Sequence, residues 1–359
     1  MQYGLRARER TPAGVDASQV GAFLHFILEH VTEAVTKRGG FAQVEERELS
    51  RLTDRAVQAY MDEALPGFDK REERFKYLFR RLRKTVGTII SNVADEMAHS
   101  DFVPVAFELG FGEGEAMPPV TVRMGDGALS VAGRVDRVDG WLEGGRMYLR
   151  VVDYKSGKKS FDLSDVRHGL NIQMLLYLFA LKQEGARVFG HEIVPAGVLY
   201  LPARDVLLSK PRSVDPEVLR TAMDKELRRS GLVLSQPEVL RAMEHSALEE
   251  PRFLPPSVGK GGVTGGLATA EELGKLERYV NHLLEEIASE IHGGVIDADP
   301  CYTSESDNAC IHCEFASACH FTDGEGGDHR TPLRPIKPEE FWGQIDLITE
   351  EEGTPWVSN

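Results

Sequence analysis

The chain has 359 residues, of which 42% are hydrophobic and 28% charged, and its formal net charge is −15. That length and apolar fraction are enough for one large domain or two ordinary ones. The surplus of acid excludes a protein that coats nucleic acid non-specifically, since neutralising phosphates takes an excess of Lys and Arg.

No apolar run reaches the roughly 18 residues of a membrane helix, and no apolar leader follows Met1, so a cytoplasmic chain without membrane contact is expected. The N-terminal part reads as helical. Val20, Leu24, Ile27, Val31 and Ala34 recur at helical spacing over Asp16 to Arg38, where Gly39-Gly40 ends the stretch, and His25 lies off that stripe. A second helix is expected over Glu46 to Leu65. A long third one runs from Lys70 to about His99, with its apolar line through Phe75, Leu78, Leu82, Val86, Ile89, Val93 and Met97.

The start of this third helix is strongly basic. Lys70, Arg71, Arg74, Lys76, Arg80, Arg81, Arg83 and Lys84 stand against Glu72 and Glu73, with Phe75, Tyr77 and Phe79 between them. Such a run is usually a solvated helix face. The other reading is the local basic track that any DNA contact by so acidic a chain requires, with Arg80, Arg81 and Arg83 as its candidate contacts.

From Phe102 the pattern changes to strands over Val103 to Phe111, Val120 to Arg123, Leu129 to Val138 and Met147 to Lys155, separated by turns such as Gly125-Asp-Gly127 and Gly144-Gly145. The last two strands read as antiparallel neighbours. Asp165 to Lys182 returns to helix and Glu192 to Leu201 to strand, which gives an α/β arrangement with a mixed sheet. Beyond Pro202, helices are expected near Pro216 to Ser230 and Pro237 to Ser246, then a loop from Pro251 to Gly266 and a helix from Thr269 to about Ile291. The Gly-rich stretch Val258 to Gly266 lacks the GxxxxGK[ST] order of a phosphate loop and reads as a flexible loop.

All four cysteines, Cys301, Cys310, Cys313 and Cys319, fall in one short segment, which points to a metal or cluster site. The acidic tail after Pro335, with Phe341 and Trp342, can dock on this chain or on another subunit. The expected organisation is a helical part over 1–100, an α/β core over 101–205, a helical and loop extension over 206–292, and a cysteine-rich segment with the tail over 293–359.

The chemistry concentrates in Gly133-Arg-Val-Asp136, Val151-Val-Asp-Tyr-Lys155 and Gln173-Met-Leu-Leu-Tyr177. Alternation along a strand points Asp153 and Lys155 the same way. Asp136 and Asp153, on adjacent strands, can supply carboxylates to a hard cation such as Mg²⁺. Lys155 is placed to hold a water or stabilise charge on a phosphate. Gln173 and Tyr177, four apart on a helix, share a face. An isolated Asp-x-Lys is more often a surface ion pair, but an acid near the end of the apolar strand Leu149 to Val152 is costly without a cation.

These residues resemble the RecB-like branch of the PD-(D/E)xK nucleases, and within it the C-terminal nuclease domains of AddB (RexB) proteins. The matches, in family order, are Gly21-Ala-Phe-Leu-His25 with Glu29, Phe107-Glu-Leu-Gly-Phe111, Gly133-Arg-Val-Asp136, Asp153-Tyr-Lys155 and Gln173 with Tyr177. The resemblance implies a restriction-endonuclease-like mixed sheet flanked by helices, with a helical N-terminal part and a C-terminal cysteine-rich clamp. It implies His25, Asp136, Asp153 and the Tyr154 backbone carbonyl as ligands of Mg²⁺ or Mn²⁺, Lys155 as the catalytic lysine, and Gln173 and Tyr177 as supporting residues. Glu108 and Arg134 take secondary roles in the site or in DNA contact.

It further implies a 4Fe–4S staple. Cys310, Cys313 and Cys319 fit the family's Cys-x2-Cys-x5-Cys trio. The fourth family ligand precedes a segment like Tyr3 to Glu9, so the cluster is incomplete or lost unless Cys301, or His312 or His320, stands in, and Cys301 is expected to be a free thiol. The implied activity is cleavage of DNA, single-stranded by expectation, as the nuclease module of a double-strand-break repair helicase–nuclease with an AddA-like partner. The competing readings are a stand-alone CRISPR-associated four-cysteine nuclease and a non-catalytic DNA-binding or assembly module of the same fold.

Overall fold

The computed structural model describes residues 17–65, 73–124, 127–157, 160–206, 215–311 and 313–351. The expectations for Tyr3 to Glu9, Lys70, Arg71, Glu72, most of the Gly125-Asp-Gly127 turn and His312 lie outside them, as do the side chains of Arg74 and Phe75. The described residues form two compact units. The first takes those within Met1–Leu109, Val135–Ser160 and Ala196–Leu267, and the second takes those within Gly110–Arg134, Phe161–Pro195 and Ala268–Asn359.

Three helices open the first unit: α1 (Ala17–Thr36), α2 (Glu46–Ala64) and α3 (Glu73–Ala98). α1 buries Phe23, Leu24, Ile27, Leu28, Val31 and Val35, so the apolar stripe is wider than its spacing suggests, and Val20 and Ala34 sit half-buried at its margin. Phe23 meets Tyr60 of α2 and Phe79 of α3 edge-on, with ring centroids 5.2 Å apart in each pair, an arrangement that aromatic quadrupoles favour. Phe79 therefore belongs to the core, at 4% exposure, while Tyr77 two residues earlier is 59% exposed.

The strands follow as β1 (Val103–Phe111), β2 (Val120–Met124), β3 (Gly127–Val131), β4 (Gly133–Glu143) and β5 (Arg146–Lys155). Next come α4 (Leu163–Arg167), α5 (Gln173–Glu184), α6 (Ala186–Phe189) and β6 (Glu192–Pro202). The chain continues through α7 (Pro216–Leu227), β7 (Ser230–Leu234), α8 (Pro237–Met243), a small hairpin β8 (Ser257–Gly259) and β9 (Gly262–Thr264), and β10 (Leu267–Ala268). A mixed six-stranded sheet has the order β1-β4-β5-β6-β7-β10. β4 and β5 are antiparallel neighbours as expected, with Asp139 opposite Arg150.

Four expectations are corrected. The strand over Leu129 to Val138 is two strands, because β3 turns back on β2 as a separate hairpin, pairing Val120 with Val131, while β4 joins the large sheet. The helix over Asp165 to Lys182 breaks into α4 and α5 where Gly169 (φ +71°) and Asn171 (φ +57°) take left-handed backbone, which glycine adopts without penalty and asparagine tolerates. α7 stops at Leu227, and Ser230–Leu234 pairs with β6 instead. A Cβ at Gly231 would collide with the Val198 carbonyl, so the close pairing uses the missing side chain. The loop over Pro251 to Gly266 contains the β8–β9 hairpin.

In the second unit α9 (Ala270–Gly293) starts in a capping box, with Thr269 and Glu272 each bonding the other's backbone N–H. β11 (Cys301–Ser304), β12 (Asp307–Asn308) and β13 (Thr331–Pro332) form a three-stranded sheet, and the short α10 (Ala316–Cys319) lies between β12 and β13 in the chain. α11 (Pro338–Glu351) packs on α9 and α4. Phe341 and Ile345 are fully buried, Lys275 pairs with Asp346 at 2.9 Å and Arg167 donates to Gln344 at 2.9 Å. The tail helix is thus held by its own chain.

Candidate active site

β4 sends its side chains to two sides. Arg137 and Asp139 point into the core with 0% exposure, and Asp136 points the other way, its side chain 13% exposed. One Asp136 oxygen accepts the Tyr154 backbone N–H at 2.7 Å, and the other lies 3.4 Å from His25 Nδ1. His25 Nε2 reaches the Tyr154 carbonyl at 3.0 Å. Helix α1 therefore packs where β4 begins and β5 ends, and His25, Asp136 and the Tyr154 backbone close a ring of contacts.

Glu108 joins them. The ligand atoms of His25, Glu108 and Asp136 all lie within 4.8 Å of one another, and among the described residues this is the one group of three or more such side chains. Glu108 has φ +44°, a left-handed backbone that costs a non-glycine residue energy and tends to mark functional positions. On β5, Lys155 Nζ stands 2.6 Å from Asp153 Oδ2 and 5.1 Å from the centre of the Tyr200 ring. That oxygen is buried, and the Lys155 ammonium is the charge beside it.

The electrostatics suit a cation. Burial pushes the Asp153 carboxyl above its usual range and the charge of Asp136 adds to this, against the pull of Lys155 and His25. Burial alone would lower the His25 imidazole. The hydrogen bond and charge of Asp136, the Tyr154 carbonyl and Asp153 outweigh it, and the net shift is upward. Carboxylates, an imidazole and a carbonyl in one half-buried place are the donor chemistry of a hard divalent ion, so the residues present fit such a group.

Beneath the site runs a buried charge network that the sequence reading missed. Asp139 takes Arg137 at 2.8 Å and Arg150 at 2.9 Å, and Glu96 of α3 takes Arg150 at 3.1 Å and Arg229 at 2.6 Å. All five residues are at most 3% exposed. The signal was present as a lone arginine, Arg150, inside the apolar run Leu149 to Val152. The Arg137 guanidinium also lies 5.9 Å from the centre of the buried Tyr154 ring, the residue whose backbone holds Asp136 and His25.

Gln173 and Tyr177 lie in the second unit, where Gln173 Nε2 donates to the Tyr177 hydroxyl at 3.1 Å. Tyr177 stacks on Phe111 at 4.7 Å, and a Cβ at Gly133 would collide with its hydroxyl. Arg134 of the same unit pairs with Glu115 at 3.4 Å. On α3 in the first unit, Arg81 pairs with Asp205 at 2.5 Å and Arg83 with Asp54 at 2.6 Å, while Arg80 is exposed. Among the described residues the four cysteines form no group of three within 4.8 Å; Cys301 and Cys310 are half-buried, Cys313 and Cys319 exposed. Burial raises the Cys301 thiol and the charge of Asp165 raises it further.

A six-stranded α/β sheet with carboxylates and a lysine on neighbouring strands, and an imidazole brought to them by α1, leads to a family. The chain belongs to the PD-(D/E)XK nuclease superfamily, whose family model matches residues 1–320. It is similar to the B subunits of ATP-dependent helicase/deoxyribonucleases: 30% identical over 361 residues to that of Thermoanaerobacter pseudethanolicus, 31% over 356 residues to that of Ruminiclostridium cellulolyticum, and 32% over 362 residues to that of Caldanaerobacter subterraneus. These alignments cover 97–99% of this chain and 30–31% of the relatives, so the chain spans about a third of their length. No helix among the described residues is long and apolar enough to cross a membrane.

Proposed function

We propose that the chain is a divalent-cation-dependent deoxyribonuclease that hydrolyses phosphodiester bonds of single-stranded DNA. The observation that carries this reading is the convergence of His25, Glu108 and Asp136, with Asp153 and Lys155 paired on the adjoining strand. His25, Asp136, Asp153 and the Tyr154 carbonyl would hold Mg²⁺ or Mn²⁺, and Glu108, which converges with His25 and Asp136, would join them. Bound there, a hard divalent ion neutralises phosphate charge and lowers the pKa of a water.

The protein's own groups do the rest. Lys155, held beside Asp153, presents an ammonium to a phosphate oxygen or to the attacking water and stabilises charge that develops there. Asp136, fixed by the Tyr154 N–H, orients His25. Gln173 and Tyr177 take supporting roles toward the substrate, and Arg134, Arg80, Arg81 and Arg83 contact the DNA backbone, the three paired arginines, Arg134, Arg81 and Arg83, exchanging weak surface partners for phosphate. No step runs through the cysteines, and the 4Fe–4S staple remains an expectation of the resemblance. The relatives' name includes a helicase, and this chain contains no GxxxxGK[ST] sequence; we therefore assign it the nuclease part of an AddAB-type break-repair assembly, with an AddA-like partner that supplies the motor.

The test is cleavage of a labelled single-stranded oligonucleotide with Mg²⁺ and with EDTA, for the wild type, Asp153→Ala and Lys155→Ala. Cleavage with Mg²⁺ alone, lost in both variants while their circular dichroism is unchanged, is expected. Full activity in either variant rules the mechanism out.

A further inference from the structure

A groove of about 430 Å³ opens in the first unit between α3 and the segment following β6. Tyr77, Arg81 and Lys84 line it from the helix, and Arg204 lines it from the segment. Intervals of three, four and seven place the three helix residues on one face. The Tyr77 ring, 59% exposed, is an apolar surface offered to solvent beside cations. The described side chains at the start of α3 carry Lys76, Arg80, Arg81, Arg83 and Lys84 against Glu73, in a chain whose net charge is −15.

The groove adjoins the candidate active site. Ala203 N–H donates to the Lys155 carbonyl at 2.9 Å, and Arg204 and Asp205 of the lip come next in the chain. Two of the cations have partners in this structure, Arg81 with Asp205 at 2.5 Å and Arg204 with Glu226 at 2.9 Å. Arg81 and Asp205 are both more than a third exposed, and a pair of that kind is weak enough for a phosphate to replace it; in the second pair Glu226 is the exposed partner and Arg204 is half-buried. An exposed ring among cations matches a strand whose bases are unpaired, because such bases offer open faces for stacking without the cost of unstacking a duplex. The volume lies in the range of about 300–1,000 Å³ typical of small-ligand sites, which suits one nucleotide at a time.

We infer that this groove is the path of single-stranded DNA to Lys155, with Tyr77 stacking a base and Arg81, Lys84 and Arg204 taking phosphates. The inference rests on the nuclease reading and adds to it the route of the substrate. It is tested by fluorescence anisotropy of labelled oligo-dT with the 359-residue chain in EDTA, where no cleavage occurs. Tyr77→Ala is expected to weaken binding by about 5-fold or more, since one stacked base carries a contribution of that size, and Tyr77→Trp to retain it. Lys84→Gln is expected to lower the slope of log affinity against log salt by about 0.7, the loss of one phosphate contact. A blunt duplex should bind more weakly and ignore Tyr77→Ala.

Wild-type affinity and slope in both Tyr77→Ala and Lys84→Gln, or no oligo-dT binding by the wild type, overturns the path. Cleavage by a wild type whose groove variants bind normally leaves the nuclease reading standing and removes the path alone. Groove-dependent binding without any Mg²⁺-dependent cleavage does the reverse.

Discussion

Asp136 accepts the backbone N–H of Tyr154 at 2.7 Å, so a side chain of one strand is fixed by the main chain of the next, at the place where His25 reaches the Tyr154 carbonyl from α1. The two contacts fix the carboxylate and the imidazole relative to each other before any ligand arrives. Two successive strands and a helix 129 residues upstream of Tyr154 thereby share one small set of ligand groups.

The first prediction concerns that set. Adding Mg²⁺ or Mn²⁺ should raise the melting temperature of the wild type, because an ion that binds only the folded state stabilises it, by about 2.7 kcal/mol at a hundredfold excess over Kd. Glu108→Gln and His25→Ala should lose most of that increment. If the increment survives Glu108→Gln unchanged, Glu108 is not a ligand.

A second prediction is the pH dependence of the cation-free chain. The folded state holds the Asp153 proton more tightly than the unfolded chain, so ionising Asp153 costs stability. That loss develops as pH rises from the unfolded carboxyl's value, about 3.9, through the higher folded one. The raised His25 imidazole contributes stability that is complete below its unfolded value, about 6.5, and is lost as pH rises through the folded one. Cation binding needs both groups deprotonated, so apparent Mg²⁺ affinity should climb over the same interval. Thermal melts with and without Mg²⁺ across that range, compared with Asp153→Asn and His25→Gln, would show it; identical pH profiles for all three proteins would contradict it.

The buried charges supply a third prediction. Glu96 is within salt-bridge reach of Arg150 and Arg229 at 1% exposure. Burial opposes its ionisation, but Arg229, Arg150 and Arg137 prevail and hold its pKa low. Glu96→Gln leaves guanidiniums buried without their counter-charge and should cost about 3–5 kcal/mol, read from urea unfolding. A loss below about 1 kcal/mol would mean that water reaches the network.

A fourth prediction links two motifs that the sequence presents separately. Gly133→Ala drives a methyl into the Tyr177 hydroxyl, an overpacking expected to cost about 1–3 kcal/mol. Tyr177→Phe removes that oxygen, so the double variant should recover part of the loss. A double-mutant cycle gives the coupling directly, and strict additivity would argue that the two residues do not meet.

Periodicity and motif order by themselves determined the three opening helices, the strands over Val103 to Phe111 and Met147 to Lys155, the antiparallel pairing of the two strands that carry Asp136 and Asp153, and the shared direction of Asp153 and Lys155. All of these depend on neighbours a few residues apart, which is the range over which spacing carries information. Only the tertiary structure decided that Asp136 faces His25 while Asp139, three residues on, sinks into a network with Arg137, Arg150 and Glu96. The same holds for Glu108 standing with His25, for Phe79 entering the core while Tyr77 stays out, and for Ser230–Leu234 pairing as a strand. The reason is physical: an acid's role depends on which buried or solvated partner it meets, and for Asp136 with His25 and Glu96 with Arg150 and Arg229 those partners come from elements more than fifty residues away.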